Sequence, residues 1–218
     1  MLVTWPGNPE MEGGHWLLTR VMSAFERKYT HAEQNLHASV PMIHDVLVDL
    51  ARRTPKPLAF KGHSMGCYLW LQVLERVAMV WERSRVRAQL AHVVLDAPDA
   101  PPLFFRRVVA QLAGAGVRVL HFYNARDEAI DMSGQRRGFE KPYPGSAPIL
   151  TRLPNVEVVD CSSAHSTSHG VRSTNHDYGR VDGYCVMDQR DFLQNVPPSE
   201  RLLTYRESDS CWVIQTGR

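Results

Sequence analysis

Cysteine is scarce and scattered. Cys67, Cys161, Cys185 and Cys211 are the four in the chain, and no two form a C-x-x-C pair, which argues against a zinc ribbon or a thioredoxin-like redox motif. They read as buried or surface thiols. Charge of one sign is lacking too: 25 Lys and Arg stand against 23 Asp and Glu. The basic residues are spread through stretches such as "ERSRVR" and "RDEAIDMSGQRRG", so no basic face forms for nucleic-acid binding. No apolar run reaches the length of a membrane span, and the opening "MLVTWPGNPE" has neither a basic n-region nor a long apolar h-region. A soluble, cytoplasmic protein is therefore expected. Internal repeats and low-complexity tracts are absent as well. The remaining picture, 218 residues with 44% hydrophobic content, excludes a disordered segment and fits one globular domain over residues 1–218.

Short strand-like runs alternate with runs of helical period, the pattern of an α/β fold with a mostly parallel sheet covered by helices on both faces. "MLVTW" reads as a strand and "GHWLLTRVMSAFERKY" as a helix, with Leu17, Leu18, Val21, Met22 and Phe25 at helical spacing. A second helix, "SVPMIHDVLVDLARR", stops before the breaker Thr54-Pro55-Lys56-Pro57. The strand "LAFKG" and the helix "GCYLWLQVLERVAMVWERS" follow. Then come the buried strand "LAHVVLDAPDAP", the helix "PLFFRRVVAQLAGAG", the strand "VRVLHFYN" and the last central strand, "NVEVVDC". Two long polar segments interrupt the rest: "GQRRGFEKPYPGSAPILTRLP" and "SSAHSTSHGVRSTNHDYGRVDGY". A short helix around "DQRDFLQNV" and a terminal hairpin over about residues 201–216 close the chain.

Chemistry concentrates at Gly62-His63-Ser64-Met65-Gly66. This is G-x-S-x-G between a strand and a helix, the context in which the pattern makes a nucleophile elbow. The hydroxyl must stand above the end of the sheet on a sharp turn, and Gly62 and Gly66 let strand and helix approach closely. Ser64 also lies at a helix N-terminus, where the unpaired Met65 N–H is the natural first oxyanion donor. The competing reading is a serine that merely caps the helix.

A serine nucleophile needs an oriented base, and in α/β-hydrolases the chain order is Ser, then Asp or Glu, then His. Asp127 leaves the tip of "VRVLHFYN" on the same sheet edge as Ser64 and is the expected acid. Asp131 is second, Asp96 and Asp99 are third, and Asp127 also reads as a helix N-cap before "EAIDM". Three histidines, His165, His169 and His176, follow the last central strand. His176 is taken as the base and His169 as its alternative. His63 is expected to point elsewhere on the turn and is given no general-base role. A metal site is not expected, because the residues between His165 and His169 disfavour a helix and no H-E-x-x-H pattern is completed. Nor does the reading call for any cofactor.

Taken together, "PLAFKGHSMGCYLWLQVL", "HVVLDAPDAPPLFFRRVV", "VRVLHFYNARDEAID" and "NVEVVDCSS" resemble the bacterial α/β-hydrolases grouped as a family of unknown function. The "TWPG" of Thr4 to Gly7 is similar to that family's S-W-P-S turn, and "DYGRVDGYCVMDQRDFL" to its tail, so the resemblance runs over roughly residues 1–195. It implies Ser64, Asp127 and His176 as a catalytic triad. It also exposes a departure. In the family an H-G-Y-like turn precedes S-W-P-S and offers the second oxyanion donor, whereas this sequence opens at the S-W-P-S strand. Either the sequence is a fragment or has a misplaced start, or a partner chain fills the vacant edge, or "MLVTW" takes the missing strand's place and "PGNPEMEGG" supplies the donor. An unpaired sheet edge is a liability, so rearrangement or association, such as a homodimer, is expected.

The function these residues imply is a serine hydrolase of the ester or acyl-transfer type acting on a small-molecule ester or acyl substrate, with the segment Gly134 to Pro154 (Phe139, Tyr143, Ile149) covering an apolar pocket. The rival is a catalytically impaired α/β-hydrolase scaffold serving as a binding or interaction module.

Overall fold

The apolar residues of the first helix recur at intervals of three and four, and this spacing governs how the sheet is covered. The structure, a computed structural model, describes residues 18–79, 89–164 and 175–215. Helix α1 runs Leu18–Arg53 and buries Leu36, Val40, Ile43, Leu47 and Ala51 along one side, packed against α2, Met65–Met79. The two helices expected here are thus one. Pro41 lies inside it, although an interior proline costs a helix roughly 3 kcal/mol. The buried stripe runs without a break from Leu36 through Val40 to Ile43, so tertiary packing carries the helix through the proline.

Six strands form one sheet among the described residues, in the order β1-β2-β3-β4-β6-β5. They are β1 Leu58–His63, β2 Leu90–Asp96, β3 Arg118–Tyr123, β4 Val156–Asp160, β5 Leu203–Arg206 and β6 Cys211–Ile214. All neighbours are parallel except the terminal hairpin β5–β6, which joins the sheet through β6 alongside β4. The helices α3, Pro102–Gly114, and α4, Glu128–Arg136, follow β2 and β3, and α5, Tyr178–Val181, and α6, Gly183–Leu193, follow β4. The expected mostly parallel α/β sheet is what the chain forms.

Alternation along the strands splits the core between two faces. Phe60, Val93, Leu95 and Val119 pack with α1, α2 and α3. Val94, Leu120, Phe122 and Val159 pack with Tyr178 and Phe192 from α5 and α6. Strands β2 and β3 are buried almost throughout, whereas β1 alternates, with Ala59 and Lys61 exposed. That is the signature of an edge, and among the described residues β1 has no outer neighbour. "MLVTW", one of the expected occupants of that edge, and "PGNPEMEGG", the expected source of a second oxyanion donor, lie outside the described residues.

All four cysteines are buried and free. Among the described residues no helix is long and apolar enough to cross a membrane. Tyr143 and Ile149, expected over a substrate pocket, are buried in the body instead. The Tyr143 ring lies so close to Gly134 that a Cβ there would meet it at 2.5 Å. The excursion is therefore strapped to the fold, and those two side chains are committed to the core.

Candidate active site

Parallel strands all end at the same edge of the sheet, and in open α/β sheets that edge is where ligands bind. The exits of β1, β2 and β3 bring Ser64, Asp96 to Asp99, and Asn124 to Asp127 to this edge. At the end of β1 the chain turns straight into α2. A Cβ on Gly62 would lie 2.8 Å from the backbone N and Cα of Cys67, so strand and helix meet too closely there for any side chain. Ser64 takes the turn in the left-handed region, at φ 55, a conformation that is strained for a residue with a side chain. Three backbone hydrogen bonds hold it: Ser64 N–H donates to the Asp96 carbonyl at 2.9 Å, and the Ser64 carbonyl accepts from the N–H of Cys67 at 3.0 Å and of Asp99 at 3.1 Å. Met65 opens α2, so its N–H has no acceptor within the helix and sits at the positive end of the helix dipole.

Gly66 departs from expectation. Among the described residues nothing lies within 4 Å of a Cβ built on it, so close approach demands glycine at the first position of the motif only. The two glycines should respond oppositely to alanine. Gly62→Ala is expected to destabilise by about 1–3 kcal/mol through overpacking, and Gly66→Ala to stabilise by up to about 1 kcal/mol through helix propensity. Urea unfolding of both variants checks the signs.

Asp127 makes both contacts the sequence suggests for it, one to a helix N-terminus and one to a histidine. It is buried; its Oδ1 caps α4 by accepting from the Ile130 N–H at 3.1 Å, and its Oδ2 lies 2.8 Å from His176 Nδ1. The cap leaves the second oxygen facing the histidine. Two asparagines bring the segments together: Asn124 Nδ2 donates to the Asn175 carbonyl and Asn175 Nδ2 to the Arg126 carbonyl, each at 3.3 Å. These reciprocal bonds join the exit of β3 to the residue before His176, and Asn175 is itself left-handed, at φ 50. The partners that join the two asparagines are tertiary and leave no mark in the sequence; the local signal is Asn124 at a strand tip, where its Oδ1 also accepts from the Arg126 N–H at 2.9 Å.

Electrostatics follow from burial and pairing. Burial pushes the Asp127 carboxyl up, against the opposing pull of His176. Burial pushes His176 down, but the hydrogen bond and charge of Asp127, helped by Asp96 and Asp99, leave it above the ordinary imidazole value. With Nδ1 turned to Asp127, Nε2 is the nitrogen left for a substrate or a hydroxyl. Among the described residues no hydrogen bond joins the Ser64 hydroxyl to His176. Catalytic contacts of this kind are often long before substrate binds.

His63 does not point away. Its ring lies against that of His176, with centroids 4.8 Å apart, and its Nε2 is 3.0 Å from the His176 carbonyl oxygen. A carbonyl only accepts, so Nε2 carries the proton.

The other carboxylates separate cleanly. Asp131 accepts from Ser146 Oγ at 3.0 Å, and among the described residues no hydrogen bond joins it to His176. Asp99 is buried under the elbow, where Ser133 Oγ donates to both of its oxygens at 2.9 Å and Tyr29 and Arg137 also bind it. This network ties α1 and α4 to the turn that receives the Ser64 carbonyl. Asp96 is wholly buried, and neither of its oxygens has a hydrogen-bond partner among the described residues. Burial raises its pKa to about 7, against the pull of Lys61, His176 and Arg180. Gly179 packs directly on this carboxyl, where a Cβ would come within 2.1 Å of Oδ1. His165 and His169 lie outside the described residues. Among the described residues no cluster of His, Cys, Asp or Glu is placed to hold a metal ion.

A parallel sheet with a left-handed serine between strand and helix, and an Asp–His pair supplied by later strand exits, is the arrangement of an α/β-hydrolase. The chain belongs to the family described as alpha/beta hydrolase of unknown function (DUF900), which matches residues 1–138. Ser64 and Asp127 fall inside the matched residues; His176 falls beyond them, within the wider span of the sequence resemblance. No curated protein and no solved structure matches the chain significantly.

Proposed function

We propose that this protein is a serine hydrolase that cleaves an ester or related acyl bond of a small-molecule substrate through an acyl-enzyme. Ser64 Oγ attacks the carbonyl carbon, and His176 Nε2 takes the hydroxyl proton. Asp127 holds the imidazole with its proton on Nδ1 and stabilises the imidazolium as it forms. The Met65 N–H donates to the tetrahedral oxyanion. Collapse expels the alcohol, which receives the proton from His176; water then repeats the sequence to release the acid and regenerate Ser64. The observation that carries this reading is the 2.8 Å bond between His176 and Asp127, with the His176 ring packed against the residue that precedes a left-handed Ser64.

The pH profile tests it. His176 must be neutral at Nε2 to accept the proton, so kcat/KM for short p-nitrophenyl esters rises with pH as the imidazolium deprotonates. Because Asp127 raises this group above the ordinary 6.5, the midpoint of the acid limb is expected above 6.5. A limb centred below it, or no hydrolysis at any pH, contradicts the assignment.

One observation favours a second reading, a non-catalytic scaffold that binds a partner: the Ser64 hydroxyl makes no hydrogen bond to His176 among the described residues. On that reading the pair is structural and no ester is turned over.

A further inference from the structure

We propose that His63 is a positioning residue for the base: its Nε2–H donates to the main-chain carbonyl of His176 while its ring gives the His176 imidazole a surface to lie on. The strand that delivers the nucleophile thereby also aims the base. The inference rests on the reading of Ser64 and His176 as nucleophile and base.

The geometry carries it. Asp127 fixes the His176 ring at Nδ1 alone, and a single hydrogen bond leaves a ring free to swing about it. His63 supplies two further constraints from another direction, a bond of 3.0 Å to the backbone of the same residue and a ring contact with centroids at 4.8 Å. It is also the chain neighbour of Ser64, so any displacement of the elbow moves the support of the base with it. Among the described residues other elements also tie the segment down around it: Lys61 Nζ and Gln189 Nε2 both donate to the Gly179 carbonyl, at 3.3 and 2.7 Å, and Asn124 holds Asn175. None of these touches the imidazole.

The charges around the pair keep the two histidines in different roles. His63 faces His176 and Arg180 from the base segment and Lys61 from its own strand, with Asp96 opposite it on β2. Burial first, and then these positive neighbours, hold its pKa down to about 3. His176 faces Asp127, Asp96 and Asp99, which raise it. When His176 takes the serine proton, His63 remains a neutral donor and does not compete for it.

Two substitutions separate the donor from the ring. His63→Gln keeps an N–H able to reach the carbonyl, and His63→Phe keeps a ring without the donor. With p-nitrophenyl esters, His63→Phe is expected to lower kcat by 10- to 100-fold with KM little changed, the scale of a slightly misplaced reacting group. His63→Gln should recover most of that loss. NMR titration of His176 should show its pKa falling toward the ordinary value in His63→Phe and holding in His63→Gln. Unchanged kcat and unchanged His176 titration in His63→Phe overturn the proposal, as does an equal loss in both variants that tracks their stability. The wild-type protein supplies a check that needs no variant. His63 nitrogen shifts should report an Nε2–H tautomer that stays neutral from about pH 5 to 8, the range in which imidazoles ordinarily titrate, and a His63 that titrates inside that window overturns it. If wild-type Ser64 fails to react with a fluorophosphonate, the hydrolase reading fails by itself, while the His176 titrations still report whether His63 positions that ring.

Discussion

Ser64→Ala is expected to lower ester turnover by about 10⁶-fold, the loss expected when a nucleophile is removed from a unit that acts together, and to leave the fold intact. The size follows from the chemistry: without the hydroxyl no acyl-enzyme forms, and the Met65 N–H and the remaining site contribute only the residual catalysis of binding and charge stabilisation. Stability is expected to stay within about 1 kcal/mol of wild type. The backbone bonds that hold the elbow run through the Ser64 N–H and carbonyl, and the side chain takes no part in them. Any larger destabilisation would come from the left-handed φ, which alanine tolerates no better than serine. Paired measurement of turnover and urea midpoint separates the two effects. A variant that hydrolyses esters at the wild-type rate while folding normally removes Ser64 from the chemistry.

Asp127→Asn is expected to carry the second largest effect, a fall in kcat of about 10⁴-fold. Asparagine caps a helix about as well as aspartate, so its oxygen can keep the bond to the Ile130 N–H while its amide group turns to His176. The histidine must then accept at Nδ1 and carry its proton on Nε2, the tautomer that cannot take a proton from serine. Burial already works against the charged form of Asp127, so the neutral amide should leave stability close to wild type. Asp127→Ala removes the cap as well and should cost about 1 kcal/mol more. If Asp127→Asn retains wild-type kcat, the carboxylate serves the helix only, which is the capping role its sequence position also suggests.

The candidate site is legible in the sequence where local chemistry places its residues. A glycine-flanked serine between a strand and a helix has few structural uses, and parallel strands send their exits to one edge, so Ser64 and Asp127 followed from order and topology. Among three histidines, nearness to the following helix points to His176, and the structure brings it to Asp127. What escaped depends on contacts between distant segments. His63 was expected to point elsewhere because strand alternation gives a side chain's face but not what loop returns over it. Asn124 and Asn175 are brought together only across the fold, by the bonds from Asn124 to the Asn175 carbonyl and from Asn175 to the Arg126 carbonyl. Gly66 resembled Gly62 in the motif, yet only Gly62 faces the backbone of the next helix within 3 Å. The single helix through Pro41 was hidden for a related reason: local propensity argues for a break, and the apolar stripe that packs on α2 outweighs it. Asp96 and Asp99 share one strand exit and look interchangeable, but Asp99 is bound by Tyr29, Ser133 and Arg137, whereas Asp96 is sealed beneath Gly179.

The central claim, an Oγ at Ser64 activated by His176, meets its most direct test in the intact mass of the protein after exposure to a fluorophosphonate. The account predicts one adduct per chain, mapped to the peptide holding Gly62-His63-Ser64-Met65-Gly66, absent in Ser64→Ala and formed far more slowly in Asp127→Asn. An unmodified wild-type mass, or an adduct on any other residue, contradicts it.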